Sequence, residues 1–194
     1  MKVRGLLCDL DGVVYRGAVA CDGAVEGLAG ARAAGLPILF LTNNAARLPG
    51  EVAEHLESLG VEAHADEVLN SSQVAASYLR QHHPVPEGMF ALPVGGPGVT
   101  AALDEQGIPV VEPSEVLRRG GSQIVAAVVQ GYGAAVGWSE LAEATYAVAA
   151  GARWVATNTD ATLPTERGQA PGNGSLVAAV AHATGRQPDL VTGK

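Results

Sequence analysis

Leu6-Leu7-Cys8-Asp9-Leu10-Asp11-Gly12-Val13-Val14-Tyr15 decides the reading of this chain. Its apolar opening, extended back to Val3, predicts a strand over 3–10 buried on both faces, with Gly5 its only weak position. In a strand alternate side chains share a face, so Asp9 and Asp11 fall on the same side. They stand at the carboxyl end, where ligands of open α/β sheets bind. Like charges this close are costly unless a cation sits between them or one is protonated. Oxygen-only ligands suit a hard cation such as Mg2+ rather than a transition metal. An isolated pair of this kind is equally compatible with two acids that merely solvate a turn.

Moving outward, Val25, Leu28, Ala29 and Arg32 follow helical spacing, and Gly35 stands where a left-handed C-cap would stop the helix. Residues 36–41 read as a second buried strand, ending in Thr42-Asn43-Asn44. Hydroxyl, amide and backbone N–H donors of this kind cradle a phosphate oxygen without needing a charge. A polar turn leading into the helix near Pro49, with an Asn as N-cap, explains the same residues without a ligand. Val52, Leu56 and Leu59 repeat the helical pattern before Gly60. Strands alternating with helices of this length predict right-handed βαβ units, a parallel sheet and an α/β fold.

The alternation restarts near Gly88: strands over 89–94, 124–130 and 154–157, helices over 99–106, 139–149 and 174–184. Glu140 and Glu143 near the start of the fifth of these segments favour the helix dipole. Pro84, Pro86 and Gly88 mark a boundary within 82–88.

The 194 residues are 47% hydrophobic and 4% aromatic, with 20 acidic against 12 basic side chains and a net charge of −8. Without a Lys/Arg cluster, a nucleic-acid partner is disfavoured, because such affinity comes from neutralising phosphates. The longest purely apolar run, 124–129, falls far short of the roughly 20 residues a membrane span needs. The amino-terminal segment ends in acids rather than a small-residue cleavage site, so a cytoplasmic location is expected. Cys8 and Cys21 are expected to stay reduced, and the five histidines are too scattered to suggest a metal site.

DLDGVVYRG at 9–17 followed by LFLTNNAAR at 39–47 resembles the first two motifs of the haloacid dehalogenase superfamily, in the subgroup of p-nitrophenyl, phosphoglycolate and nucleotide phosphatases. The similarity continues in Ala156-Thr157-Asn158-Thr159-Asp160, in Pro171-Gly172-Asn173-Gly174 and in Gly193-Lys194. The tract from Gly137 to Gly185 resembles glycerol-3-phosphate phosphatases. The resemblance implies a Rossmann-like core over 1–87, an inserted α/β cap over 88–187, and a return to the core over 188–194. It makes Asp9 the nucleophile, forming an aspartyl-phosphate, and Asp11 the general acid and base. Mg2+ would be held by Asp9 and by the backbone carbonyl of Asp11. Thr42, Asn43 and Asn44 would hold the transferring phosphoryl group, and Lys194 would match the lysine of the third motif. Asn158, Asp160 and Leu163 would line the cap interface, where a histidine at the Leu163 position marks pyridoxal phosphatase relatives; a polar strand end explains Asn158 and Asp160 equally well. The implied substrate is a small phosphorylated metabolite, glycerol 3-phosphate or 2-phosphoglycolate first, and a homodimer is left open.

The family continues past the third motif with a strand whose acids complete the metal site, whereas this sequence stops at Lys194. The expectation is weak Mg2+ binding, an open apolar edge on the first strand and much reduced turnover for the 194-residue chain. Two other classes of function stand beside the enzyme. A receiver-like module also gathers aspartates at strand ends, but the stretch between Asn43 and Lys194 is longer by roughly 100 residues than a minimal core needs. An inactive scaffold that assembles through the cap would not notice an Asp9→Asn change.

Overall fold

The computed structural model describes residues 3–165 and 167–194. In chain order it contains β1 (Leu6–Asp9), β2 (Tyr15–Arg16), β3 (Val19–Ala20), α1 (Ala24–Ala33), β4 (Ile38–Thr42), α2 (Pro49–Ser58), β5 (Val68–Asn70) and α3 (Ser71–His82). There follow β6 (Phe90–Val94), α4 (Pro97–Glu105), α5 (Val116–Arg119), β7 (Val125–Gln130), α6 (Trp138–Ala149), β8 (Arg153–Ala156), β9 (Thr162–Thr165), β10 (Gly168–Pro171), α7 (Asn173–Thr184) and β11 (Leu190–Val191). The α/β reading and its parallel sheets hold. Two compact units result: residues up to Thr42 with Arg47–Asn70, and Asn43–Ala46 with Ser71–Lys194.

The first unit is built on a three-stranded parallel sheet in the order β1-β4-β5, with Cys8 opposite Phe40 and Thr42 opposite Asn70. Phe40, Leu10 and Leu56 are fully buried in its core, each worth roughly 1.5 to 3 kcal/mol for its removal from water. Helix α1 ends where the sequence placed its stop: Ala34 caps it and Gly35 turns left-handed at φ 74°. The unit is also tied by Arg32, whose guanidinium donates to both carboxylate oxygens of Glu67 at 2.8 and 2.6 Å. That bidentate partner holds the Glu67 carboxyl below its ordinary range.

The first strand is shorter than expected and is not buried on both faces. Leu6 and Cys8 pack toward the core, but Leu7 is 75% exposed. The reason is the pleat: alternate residues face opposite sides, β1 pairs with β4 alone, and among the described residues nothing covers the side that Leu7 takes.

The second unit carries a four-stranded parallel sheet in the order β11-β8-β7-β6. On one face Trp154, Val128 and Leu92 pack against α6 and α7 through Ala144, Val148 and Val180. On the other, Val155, Val129 and Ala127 pack against α3 and α4 through Leu79, Ala75 and Leu103. Helix α3 is not evident from the sequence, because Ala75 and Ala76 supply much of its packing face where a periodicity search looks for large apolar residues. Helix α3 belongs with the second unit, and the terminal β11 pairs with β8, Leu190 opposite Val155. Among the described residues no helix is long and apolar enough to cross a membrane.

Candidate active site

In the first unit β1 delivers Asp9 to the carboxyl end of its sheet, level with Leu41 of β4. The chain then turns sharply. Leu10 is buried at 0% exposure, and its carbonyl accepts the N–H groups of Val13, Val14 and Tyr15 at 3.2, 2.9 and 3.2 Å. A buried Leu10 obliges its neighbours to point away from the core, so half-buried Asp9 and exposed Asp11 flank it on the outer side. Asp9 Oδ1 accepts the N–H of Leu10 at 2.6 Å, which fixes the rotamer of the carboxylate. Gly12 N–H returns to Tyr15 O at 2.8 Å and closes the turn.

Tyr15, which the sequence reading left without a role, sits against this turn. Its ring meets the His55 imidazole edge to face at 4.8 Å between centroids. Burial first, and then the charge of Asp11, push its hydroxyl up to about 12, against an opposing pull from Arg47. Tyr15 therefore stays neutral, and the Asp11 carboxylate lies within electrostatic reach of its hydroxyl. Thr42 closes β4 at 5% exposure.

The other candidates belong to the second unit, where the structure gathers four of them. The Asn43 side chain uses both ends: Nδ2 donates to Asp160 Oδ2 and to Lys194 O, each at 3.0 Å, and Oδ1 accepts Lys194 N–H at 2.9 Å. Asn158 Nδ2 donates to Asn43 O at 2.9 Å, while its Oδ1 accepts the Asp160 N–H at 3.1 Å. Asn44 Oδ1 accepts the N–H of Ala46 at 3.1 Å and turns the loop. Residues 151 positions apart are thus joined through one amide. Lys194 is exposed at the end of this arrangement.

Asn158 is a framework residue in this geometry. At 5% exposure, with both side-chain ends engaged, it shapes the loop rather than facing a ligand. Asp160 is exposed, and Leu163 is half-buried in the β9–β10 hairpin.

The sequence reading quoted Asn173 and Gly193 only as points of resemblance; the structure gives both a job. Asn173, 1% exposed, donates to Asn158 O at 2.8 Å and to Gln130 O at 3.2 Å, tying the ends of β7 and β8 together. A Cβ on Gly193 would lie 2.6 Å from Thr157 O and 2.9 Å from Asn43 Oδ1, so only glycine lets the backbone bring Lys194 to Asn43. The short Pro-Gly-Asn-Gly and Gly-Lys runs were the available signals.

The donor set near the end of β1 fits a hard cation. Among the described residues no group of three or more His, Cys, Asp or Glu converges. A cation there would rest on the Asp9 carboxylate, the backbone carbonyl of Asp11, water and a phosphate oxygen. Mg2+ tolerates that mixture because it keeps several waters, whereas zinc prefers a closed nitrogen and sulfur set.

Residues 6–109 match the family described as haloacid dehalogenase-like hydrolase. D-glycerol 3-phosphate phosphatase of Mycobacterium tuberculosis is 44% identical over 189 residues, covering 97% of this chain and 50% of that protein. An acid sugar phosphatase of Staphylococcus saprophyticus is 35% identical over 188 residues, covering 97% of this chain and 68% of that protein. The crystal structure of the M. tuberculosis glycerol phosphate phosphatase in complex with magnesium aligns with a TM-score of 0.87 at 44% identity, over 98% of this chain and 54% of that one. The chain thus spans about half the length of the mycobacterial relative.

Proposed function

This chain belongs to the haloacid dehalogenase-like hydrolases, and from that membership we propose that it carries the reaction machinery of a Mg2+-dependent phosphomonoesterase for a small phosphorylated metabolite. The observation that carries the reading is the pair Asp9 and Asp11, set outward on either side of buried Leu10 at the carboxyl end of β1. The 44% identity to a D-glycerol 3-phosphate phosphatase supports glycerol 3-phosphate as the first substrate to try, with 2-phosphoglycolate next.

Asp9 attacks phosphorus in line, held in one rotamer by the Leu10 N–H on Oδ1. The bond between phosphorus and the ester oxygen breaks as the bond to the Asp9 carboxylate forms. Asp11, protonated at this stage, gives its proton to the departing alkoxide. In the second half it takes a proton from the water that attacks phosphorus, Asp9 leaves as carboxylate, and inorganic phosphate departs. Mg2+ held by Asp9 and Asp11 would neutralise charge on the phosphoryl oxygens. Thr42, Asn43 and Asn44 supply uncharged donors to the phosphoryl group, and Lys194 a positive charge. Asn158 and Asn173 hold backbone and are positioning residues in this scheme, while the Asn43 side chain also holds the Lys194 N–H.

The test is hydrolysis of p-nitrophenyl phosphate and glycerol 3-phosphate with Mg2+ by the purified chain and by Asp9→Asn. Removing the nucleophile should lower turnover by a factor of about 1000 or more. Turnover equal in the two proteins would overturn the reading.

A further inference from the structure

The four-stranded sheet of the second unit is parallel throughout, so its strands begin along one edge and end along the other. Asn158 and Asp160 lie past the ending edge. Along the starting edge is a cavity of about 440 Å3, walled by residues that open or just precede strands, among them Met89, Val125 and Arg153. No residue of this cavity has a part in the phosphatase scheme.

The cavity has two guanidinium groups, and they are in different situations. Arg186 is committed: Nη1 donates to Val148 O at 2.7 Å, and Nη2 stands 3.5 Å from both carboxylate oxygens of Asp189. Asp189 is itself drawn elsewhere, since its Oδ2 accepts the Trp154 N–H at 2.7 Å. Arg153 is half-buried, and among the described residues its guanidinium has neither hydrogen bond nor ion pair. It opens β8 opposite Ala127, whose small side chain leaves room beside it. A guanidinium carries five donors in a fixed fork, and partial burial strips part of their hydration. With two guanidinium groups against one carboxylate, the cavity is one positive charge in excess, with histidine taken as neutral.

We propose that this cavity is a binding site for a small oxyanion, the carboxylate or phosphate group of a metabolite, with Arg153 as its principal ligand. The planar fork of Arg153 meets such a group through two parallel hydrogen bonds, and Arg186 adds charge from the side. Gln123 lies on the wall within the same cavity, and Pro84, Pro86 and Met89 form an apolar surface for the rest of the molecule. The site is distinct from the carboxyl ends of the strands, where ligands of α/β sheets ordinarily sit.

The experiment titrates malonate and, separately, inorganic phosphate into the 15N-labelled chain and follows the amides of Gln123, Gly151 and Arg153. At least one probe should move these amides saturably; malonate alone identifies a carboxylate site, and phosphate alone a phosphate site. Arg153→Gln should weaken that response at least tenfold while the remaining spectrum keeps its dispersion. Gln123→Glu, which adds a repelling carboxylate at the wall, should do the same and decides the matter if Arg153→Gln does not fold. Phosphate-induced shifts at Asn43 and Asn44 belong to the phosphatase reading and should persist in both variants. The proposal fails if neither probe gives a saturating shift at the cavity, or if Gln123→Glu leaves that shift unchanged.

Discussion

The two sheets are built alike, parallel strands in an α/β alternation, but their strands end differently. In the first unit β1 ends in Asp9 and, past buried Leu10, Asp11, and beside them Leu7 is left 75% exposed. In the second, β7 and β8 run through a core closed on both faces and end in Gln130 and, just past β8, Thr157 and Asn158, all three at 5% exposure or less. Neutral polar groups can be buried at a strand end at modest cost: Asn158 is met by backbone at both side-chain ends, and Gln130 Oε1 accepts the Trp154 indole N–H at 3.0 Å. Carboxylates cannot be buried so cheaply. The charged end is therefore left accessible for reaction chemistry, and the amide ends serve as joints.

Changes at the two ends should separate activity from stability. Asp11→Asn should reduce turnover of p-nitrophenyl phosphate by a factor of about 100 to 10,000, the usual loss on removing a general acid. Urea unfolding should be nearly unchanged, because Asp11 is exposed. Equal losses of activity and stability would break the contrast. Asn173→Ala should do the reverse and destabilise the second unit by about 1 to 3 kcal/mol, because the Asn158 carbonyl loses its side-chain donor and the Gln130 carbonyl keeps only the Thr157 N–H. Its signature is a lower urea midpoint with the first unit's amide exchange unaltered.

A smaller effect separates the first unit's tie from its site. Glu67→Gln should cost about 1 kcal/mol by weakening the bidentate bond to Arg32. The Glu67 carboxyl titrates lower in the folded than in the unfolded protein, so its contribution is fully present above the unfolded value of about 4.3 and is lost as pH falls through the lower folded value. Thermal unfolding from pH 6 to pH 3 should show a steeper acid decline for the native chain than for Glu67→Gln. Smallest of all, Leu7→Thr should shift stability by less than about 0.5 kcal/mol, as expected for an exposed position. A larger loss in the isolated chain would mean that Leu7 is covered in solution.

Much of the fold was legible wherever one residue type carries one local meaning. The apolar runs gave β4, β6 and β7 within a residue or two, and Gly35 marked the end of α1. Helix α3 and the short β5 escaped because Ser71, Ser72, Ala75 and Ala76 pack through smallness, which leaves no hydrophobic period to detect. The hairpins β2–β3 and β9–β10 escaped because their strands are two to four residues long. At the candidate site the acids were legible and the amides only as a group, since Asn serves equally as ligand, cap or joint.

The sequence by itself determined an α/β chain with Asp9 and Asp11 at the end of its first strand, because strand period and charge are local properties. Only the tertiary structure decided what Asn43, Asn158 and Asn173 do. A side-chain amide offers donors and an acceptor to whatever arrives, and their partners, Lys194 and the ends of β7 and β8, arrive from distant parts of the chain. The same holds for Arg153: its charge is written in the sequence, but its half-burial beside a cavity, with no ion pair among the described residues, follows from how the strands line up.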